Sequence, residues 1–440
     1  MSRTLIKDVK SKIGEKVSIM GRVMNARLLS NVSFLQVQDY TGTIQTVWEN
    51  VSIDLSSEAS AKGEALAKAG DAVEITGSVR ADERAKGGCE ILGEELKIIS
   101  TSIEDLPIDL AKKDLNLHLT TLLDQRALSL RHPKVQAIFK LYDLLLKHYG
   151  LAMRSQGFTE IKTPKILGAC SEGGANFFKI KYFDQSAFLA QSPQFYKQIM
   201  LGVFERVFEI GSTFRAEPHF TTRHVNEYIS LDAEMGFIEG FRDVTMMLNK
   251  VLVEVFNKIK EEGAECLALH DVTDIVVPEK IPSVKLAEIR KIVKKKYDYA
   301  LPEDTDIDPE GERLSGRYAK EEFNSDFIFI THYFWKDKPF YTMPSSDNPE
   351  ETEGFDLIYK GVELVTGSQR IHKYDQLIAN MKKKGIKPDG MEYYLDVFKF
   401  AMPPHGGWGM GSERLIQQLL GLGSVKEAIL FPRDVKRLCP

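Results

Sequence analysis

Two arginines, Arg215 and Arg414, occupy positions at which a polyanion could be bound. Arg215 follows a strand-like run, and the polar loop after it carries Arg223 and His224. Arg414 follows a glycine-rich segment, where missing side chains let a ligand approach the backbone. A guanidinium binds phosphate oxygens through parallel N–H bonds, so these residue types predict a phosphate site. A single arginine at a strand end is more often a solvated surface charge, and the prediction therefore depends on both arginines.

Two pairs of elements must bring these arginines together. Segment 206–211 has the alternation of a strand, and segment 228–235 has the pattern of its returning partner. The two predict an antiparallel hairpin whose connection includes the polar loop 218–226. Residues 415–420 form an apolar helical stretch directly after Arg414. The arginines are therefore expected at the end of a strand and at the start of a helix.

Length and composition are those of a globular protein with more than one domain. The 440 residues exceed one ordinary core, and 43% of them are hydrophobic and 28% charged. No window approaches an apolar span of about 20 residues, and the start of the chain lacks the apolar core of a signal peptide. We therefore expect a cytoplasmic protein with no membrane partner.

Cysteine spacing argues against a cysteine-based framework, and net charge argues against an overall attraction for nucleic acid. Cys89, Cys170, Cys266 and Cys439 show no short paired spacing, which argues against a zinc ribbon or a disulfide framework. The formal net charge is −5, so the chain has no overall attraction for nucleic acid. RNA binding would have to come from local patches and from stacking on aromatic side chains.

The chain divides into an N-terminal β domain, residues 1–103, a linker, 104–133, and a catalytic domain, 134–440. Five short strands and a helix over 59–69 predict an OB-fold barrel, which often binds single-stranded nucleic acid. Composition alone also allows a small β domain of unknown role. The expected fold class is α+β: this five-stranded barrel is followed by a mostly antiparallel sheet flanked by helices.

The start of the catalytic domain has a helix followed by a strand. Apolar residues at helical spacing predict an amphipathic helix from Pro133 to about Gln156. Segment 158–164 then has strand character and ends in proline. This pattern is common in unrelated proteins and is weak when taken alone.

Taken together, these segments resemble motifs 1, 2 and 3 of the class II aminoacyl-tRNA synthetases. The closest resemblance is to the archaeal and eukaryotic aspartyl-tRNA synthetases, and it covers nearly the whole chain. It is carried by the blocks 171–175, 188–198, 215–235, 367–372 and 429–434. The block around Lys197 is the most specific part.

The resemblance implies a role in ATP binding for the two arginines and their neighbours. Arg215 would contact the α-phosphate and Arg414 the γ-phosphate of a bent ATP. Glu217 would accept from the adenine amino group, and Tyr228 would lie against the base. Arg223 or His224 would reach the outer phosphates.

A carboxylate pair, Asp356 and Glu363, is implied to hold Mg²⁺ at the phosphates. Carboxylate oxygens are hard ligands that suit this ion. On spacing alone, an ordinary exposed strand edge is the better interpretation of the pair, and the family resemblance reverses that preference.

The resemblance also implies an aspartate pocket. Lys197 and Arg370 would pair with the substrate's side-chain carboxylate, which the neutral amide of asparagine cannot match. The ammonium group of the substrate would be held by a set of polar side chains, and Gly173 and Gly174 would allow their loop to close over the substrate. This set comprises Glu172, Ser192, Gln194 and Asp232.

In the barrel, Phe34 and Gln45 have the positions that stack on and hydrogen-bond the middle anticodon base in the family. Phe34 as barrel core is the alternative. The resemblance implies a homodimer, built through motif 1, that charges tRNA(Asp). Whether tRNA(Asn) is charged as well depends on the loops 24–31 and 84–88 and stays open.

Two rival functions remain. An asparaginyl-tRNA synthetase shares nearly every ATP-binding residue, but the family has an uncharged residue at the position of Lys197. The other rival is a paralogue that has lost aminoacylation. Such relatives commonly lack the barrel or the motif arginines, and this chain keeps both.

Overall fold

The computed structural model describes residues 2–28, 32–49, 67–85, 87–168, 176–302 and 307–439. The chain forms two compact units, Met1–His132 and Pro133–Pro440. The predicted helix over 59–69 lies outside the described residues except for its last three. Among the described residues, no helix combines the length and the apolar character needed to cross a bilayer.

The first unit is a closed five-stranded barrel with the neighbour order β1-β2-β3-β5-β4, as predicted. Its strands are β1 Lys16–Leu28, β2 Val32–Gln38, β3 Thr43–Glu49, β4 Ala72–Ala81 and β5 Cys89–Ser100. A short helix, α1 Ile6–Val9, precedes them, and α2 Leu119–Asp124 and α3 Arg126–Ser129 follow.

The barrel interior is filled by alternate residues of its strands. Val17, Ile19, Val37 and Ile75 are almost completely buried there, as expected when strand side chains point alternately in and out. Segment 104–132 also packs within this unit, because Ile108 and Leu110 form an apolar cluster with Met24.

The second unit is built on an eight-stranded sheet with the order β12-β13-β14-β15-β16-β11-β10-β6. Its pairs are antiparallel except β12 with β13 and β10 with β6. The strands are β6 Thr159–Glu160, β10 Arg206–Phe214, β11 Glu227–Gly236, β12 Ser283–Lys285, β13 Phe327–Thr331, β14 Gly354–Tyr359, β15 Val362–Arg370 and β16 His405–Gly411. A small second sheet contains β7 Ile166–Leu167, β8 Lys179–Tyr182 and β9 Gln185–Leu189.

Helices cover this sheet and close its core. They are α4 Pro133–Ser155, α5 Gln194–Phe204, α6 Phe241–Glu262, α7 Ala264–Ala268, α8 Leu286–Tyr297, α9 Pro309–Phe323, α10 Tyr374–Lys383, α11 Glu392–Leu395 and α12 Ser412–Leu420. In α4, Ile138, Leu141 and Leu145 recur at helical spacing and are buried against the sheet together with residues of α6. Each such side chain contributes about 1.5–3 kcal/mol when fully buried.

Strand register places polar side chains opposite glycines on the central strands. Asp232 of β11 pairs with Gly409 of β16, which pairs with Thr366 of β15. Two residues along, Glu234 pairs with Gly407. A Cβ atom at Gly407 would collide with the Glu234 carboxylate. The glycines of β16 therefore leave room for acidic side chains at the centre of the sheet.

Candidate active site

A cavity of about 360 Å³ lies on the second unit, beside β11, β15 and β16. It contains eleven of the residues proposed from the sequence: Ser192, Gln194, Arg215, Glu217, Arg223, His224, Tyr228, Asp232, Glu363, Arg370 and Arg414. Lys197 and Asp356 lie behind its surface. Glu172 is outside the described residues.

Arg215 follows the last residue of β10 and begins the loop 215–226, which leads to β11. Its backbone N–H donates to the Asn226 carbonyl at 2.9 Å, which closes the loop. The guanidinium carbon lies 5.7 Å from the centre of the Tyr228 ring, and the Glu217 carboxylate is 3.9 Å away. An aromatic ring, a carboxylate and a cation thus share one part of the cavity.

Arg414 lies in the first turn of α12, about two hundred positions after Arg215 in the sequence. Its Nη1 donates to the Glu363 backbone carbonyl at 2.7 Å. The preceding residue, Glu413, accepts from the Ile229 backbone N–H at 2.9 Å and so ties α12 to β11. These bonds fix the direction of the Arg414 side chain.

His224 lies between acidic and basic neighbours in the same cavity. Its Nε2 is 3.4 Å from the Glu217 carboxylate, and its Nδ1 is 2.6 Å from the Thr221 hydroxyl. Burial lowers the pKa of His224, and the positive charge of Arg414 adds to this effect against the opposing influence of Glu217. The ring therefore stays neutral to a lower pH than an ordinary histidine does.

Glu312 of α9 is a site residue that the sequence analysis missed. Its Oε2 accepts from Arg223 Nη1 at 3.1 Å and from the Glu363 backbone N–H at 2.8 Å. Burial raises the pKa of Glu312, while the bond from the Glu363 N–H opposes the rise. Glu312 therefore binds Arg223, which lines the cavity. No local pattern in its helix distinguishes it from an ordinary exposed glutamate.

Lys197, on α5, is 1% exposed and lies against Asp232, which lines the cavity. Its Nζ is 2.7 Å from Asp232 Oδ1, 3.1 Å from the Trp408 carbonyl and 3.6 Å from Glu234 Oε2. Asp232 Oδ2 is buried and accepts no hydrogen bond from the described residues. Asp232 thus neutralises Lys197 and still presents an acceptor.

Arg370 completes this charge network through Glu234, which is fully buried and which the sequence analysis did not single out. Arg370 Nε donates to Glu234 Oε1 at 2.9 Å, Nη1 to the Ser368 hydroxyl at 2.6 Å and Nη2 to the Gly407 carbonyl at 3.1 Å. Burial would raise the pKa of Glu234, but Arg370 and Lys197 outweigh it and the pKa is lowered. Two cations and two carboxylates therefore balance.

A chain of hydrogen bonds supports this network from behind. Gln194 Nε2 and the Tyr394 hydroxyl donate to Gln198 Oε1 at 3.2 and 3.1 Å, and Gln198 Nε2 lies 2.8 Å from His405 Nε2. His405 Nδ1 lies 2.8 Å from the Pro403 carbonyl. The carbonyl can only accept, so Nδ1 carries the proton, Nε2 accepts from Gln198, and the ring is neutral.

The His405 ring predicts a pH dependence of stability. Burial lowers its pKa from 6.5 to about 4, against the opposing influence of Glu234. The contribution of the neutral ring to the free energy of unfolding is complete above the pKa that this histidine has in the unfolded chain. It is lost as the pH falls through the pKa of the folded chain, a difference of roughly 3 kcal/mol. We expect denaturant titrations of His405→Asn to show a weaker loss of unfolding free energy between pH 6.5 and 4 than the parent chain. The exposed His219→Asn variant should retain the parent slope, and identical slopes in parent and His405→Asn would contradict a neutral buried ring.

The carboxylate pair proposed for Mg²⁺ is only partly at the cavity. Glu363 lines it and is part exposed. Asp356 is 4% exposed, and both its oxygens lie 3.1 Å from Lys338 Nζ while it also accepts from the Thr366 hydroxyl. Among the described residues, no three histidine, cysteine or acidic side chains are grouped as metal ligands. Glu363 fits a magnesium ion that takes its other ligands from phosphate and water, whereas Asp356 fits only if Lys338 gives way.

In the barrel unit, Phe34 and Gln45 share one face of β2 and β3. Phe34 pairs with Val47, and Gln45 pairs with Gln36 two residues further along β2. Phe34 is half-buried and outside the apolar cluster of the interior. Gln45 Nε2 donates to Glu90 Oε2 at 2.9 Å, and Glu90 accepts from Arg80 at 2.7 Å. In the loops 24–31 and 84–88, residues 29–31 and 86 are outside the described residues.

Comparisons with known proteins agree with this arrangement. The sequence profile described as tRNA synthetases class II (D, K and N) matches residues 118–435, and the profile of the OB-fold nucleic acid binding domain matches residues 17–106. The sheet of the second unit is therefore the catalytic sheet of a synthetase. Its cavity receives one arginine from the β10–β11 hairpin and another from α12. The chain is a member of the class II aminoacyl-tRNA synthetases of the aspartate, lysine and asparagine group.

Full-length relatives narrow the comparison further. The aspartate–tRNA(Asp/Asn) ligase of Deinococcus radiodurans is 41% identical and covers 100% of this chain and 99% of its own length. The aspartate–tRNA(Asp) ligase of Pyrococcus abyssi is 39% identical and covers 97% of each chain.

Solved structures give the same fold. The asparaginyl-tRNA synthetase of Pyrococcus horikoshii, in complex with asparaginyl-adenylate, has a TM-score of 0.90 at 29% identity over 100% of both chains. A putative aspartyl-tRNA synthetase of Leishmania major has a TM-score of 0.88 at 26% identity, over 100% of this chain and 96% of the other.

Proposed function

We propose that this chain is an aspartate–tRNA ligase. It activates L-aspartate with ATP to aspartyl-adenylate and pyrophosphate, and transfers aspartate to the 3′ end of tRNA(Asp). The observation that supports this most strongly is one cavity lined by Arg215, Arg414 and Arg370, with Lys197 buried against Asp232 of the same lining. The full-length relatives are aspartate–tRNA ligases, which agrees with this chemistry.

Activation joins two anions, because the α-carboxylate of aspartate attacks the α-phosphorus of ATP. Arg215 neutralises the charge that builds on the α-phosphate, and Arg414 holds the γ-phosphate. Arg223 reaches the outer phosphates once it leaves Glu312, while Glu217 and Tyr228 bind adenine. The attacking carboxylate is already ionised, so positioning suffices and no general base is needed. When bound, Mg²⁺ would neutralise phosphate charge, with Glu363 as its protein ligand.

The network of Lys197 and Arg370 selects aspartate through its donors. Both side chains can only donate hydrogen bonds, and the four charges of the network already balance among themselves. A carboxylate offers two acceptor oxygens to these donors. The amide of asparagine would turn an N–H group toward one of them, which leaves a buried donor without an acceptor and costs about 1–3 kcal/mol or more. Asp232 Oδ2, Ser192 and Gln194 receive the ammonium group, with Glu172 from the loop 171–175.

The barrel reads the anticodon. Phe34 stacks on the middle base, and Gln45, held by Glu90, bonds its edge. The relatives include ligases of tRNA(Asp) alone and of tRNA(Asp/Asn), so charging of tRNA(Asn) is the second activity to be tested.

A cytoplasmic homodimer is part of the same proposal. Its interface would involve segment 158–164, which contains β6. The exposed side chains of Phe237 and Met246, which line a groove beside the end of β11, support an apolar contact with a second copy.

The test is ATP–pyrophosphate exchange with aspartate or asparagine as the only amino acid, followed by charging of purified tRNA(Asp) and tRNA(Asn) with labelled aspartate. We expect exchange with aspartate to exceed that with asparagine by about 10³ or more in kcat/KM, because a buried site built to bond one polar group strongly rejects an analogue that leaves its partners unmatched. Faster exchange with asparagine would identify the rival asparaginyl enzyme, and exchange with neither amino acid would identify a paralogue without this activity.

A further inference from the structure

The loop 218–226 carries Arg223 and His224 into the cavity, and it is held by a distant part of the chain. The Val425 N–H donates to the Thr222 carbonyl at 2.9 Å, and the Asn226 N–H donates to the Arg433 carbonyl at 2.8 Å. The Ser424 hydroxyl lies 3.5 Å from the same Thr222 carbonyl. Residues 424–437, hereafter the C-terminal segment, therefore bind the loop on both sides of Arg223 and His224.

Phe220 provides a second kind of contact between the same two segments. Its ring is 55% exposed, and the Nζ atoms of Lys426 and Lys436 lie 3.8 and 4.5 Å from the ring centre. Ammonium groups within about 6 Å of a ring centre are attracted by its negative faces. The ring is therefore bound by charge, although it is too exposed to be held by burial.

The C-terminal segment is itself rigidly bonded, so it can act as an anchor. Lys426 is 2% exposed, and its Nζ lies 2.5 Å from Asp434 Oδ2. Asp434 Oδ1 also accepts the backbone N–H groups of Lys436 and Arg437 at 2.7 and 3.0 Å. Burial would raise the pKa of Asp434, but these bonds lower it. The two lysines are thus joined through one carboxylate.

We propose that the C-terminal segment is a clamp on the loop, in which Phe220 between Lys426 and Lys436 keeps Arg223 and His224 in place for the triphosphate. Phe220, Lys426 and Lys436 are positioning residues, since they act through the loop. This inference rests on the proposed ATP site and adds to it a structural requirement for a segment about two hundred positions away in the sequence. A loop that is properly placed for only part of the time binds ATP more weakly by that fraction.

The clamp can be tested by replacing the ring and by replacing one lysine. We expect Phe220→Leu and Lys436→Gln each to raise the KM for ATP in pyrophosphate exchange by about three- to tenfold. The KM for aspartate and the melting temperature should stay near the parent values. Phe220→Tyr keeps an aromatic face and should restore the parent KM for ATP. Phe400→Leu, which removes another exposed ring that does not line the cavity, is the control.

A second measurement does not depend on activity. Trypsin should cut the bond between Arg223 and His224 several times faster in Phe220→Leu and Lys436→Gln than in the parent, Phe220→Tyr or Phe400→Leu, with cleavage followed by mass spectrometry. Unchanged cleavage and an unchanged KM for ATP in both variants would overturn the clamp. Loss of tRNA charging with a normal KM for ATP would overturn it in favour of a contact with RNA. If the parent lacks exchange but the cleavage rates differ as expected, the proposed function fails and the clamp stands.

Discussion

Arg215→Ala should lower kcat for aspartate-dependent ATP–pyrophosphate exchange by about 10³, the size of effect found when a cation or donor is removed from a developing phosphate or oxyanion charge. The guanidinium lies at the end of β10 beside the Tyr228 ring, where the base and the α-phosphate of ATP meet in the proposed complex. Because the charge on the α-phosphate grows only in the transition state, the KM for ATP should change much less than kcat.

Arg215→Lys and Arg317→Ala make this experiment specific. Lysine keeps the charge without the planar pair of donors, so it should recover only part of the rate. Arg317 is an exposed arginine of α9 that pairs with Glu321 at 2.7 Å, and its removal should leave exchange unchanged. A parent kcat in Arg215→Ala, with the fold intact by circular dichroism, would contradict the phosphate site at this residue.

The sequence was sufficient to predict the elements that carry the arginines. The β10–β11 hairpin and the barrel strands have alternating patterns, and alternation is a local property that one segment reveals by itself. The family resemblance, confirmed by the profile matches, added the identity of the site. Eleven of the proposed residues meet in one cavity because strand register, which turns and glycines fix, puts β11, β15 and β16 side by side.

The residues that the sequence analysis missed act across elements. Glu312 and Glu90 are glutamates whose importance comes from a partner on another segment, Arg223 and Gln45 respectively. Lys338, in the connection between β13 and β14, donates hydrogen bonds to both carboxylate oxygens of Asp356. No periodicity marks such pairs, because they form only when separate segments pack. The contacts of Phe220 with the C-terminal segment likewise form only when separate segments pack.

Charge balance in the amino-acid pocket differs from the simple picture of two free cations. The sequence predicted that Lys197 and Arg370 would be paired by the carboxylate of the substrate. The structure pairs Lys197 with Asp232 and Arg370 with Glu234. An isolated buried cation would be costly, and this pairing removes the cost while it leaves the direction of every donor fixed. Selectivity then follows from donor geometry more than from net charge.

Lys197→Met should have the largest effect on aspartate use. We expect kcat/KM for aspartate to fall by about 10³ or more, since the variant removes a buried donor from the pocket, while ATP binding measured without aspartate should be nearly unchanged. The variant also leaves Asp232 and Glu234 with Arg370 as their only cation, and breaking a buried pair in this way costs roughly 3–5 kcal/mol of stability. Activity must therefore be compared at a temperature at which the variant is folded.

Two variants separate the pocket effect from the loss of an ion pair. Lys165→Met removes a similar partner, because Lys165 Nζ lies 2.9 Å from the buried Glu209 carboxylate and outside the cavity, so it should lose stability and retain aspartate exchange. Lys197→Met combined with Asp232→Asn removes one charge of each sign and should regain stability without regaining aspartate exchange. If Lys197→Met kept the parent kcat and KM for aspartate, the donors that discriminate between carboxylate and amide would have to lie elsewhere, since Arg370 alone would then bind the substrate as well as the pair does.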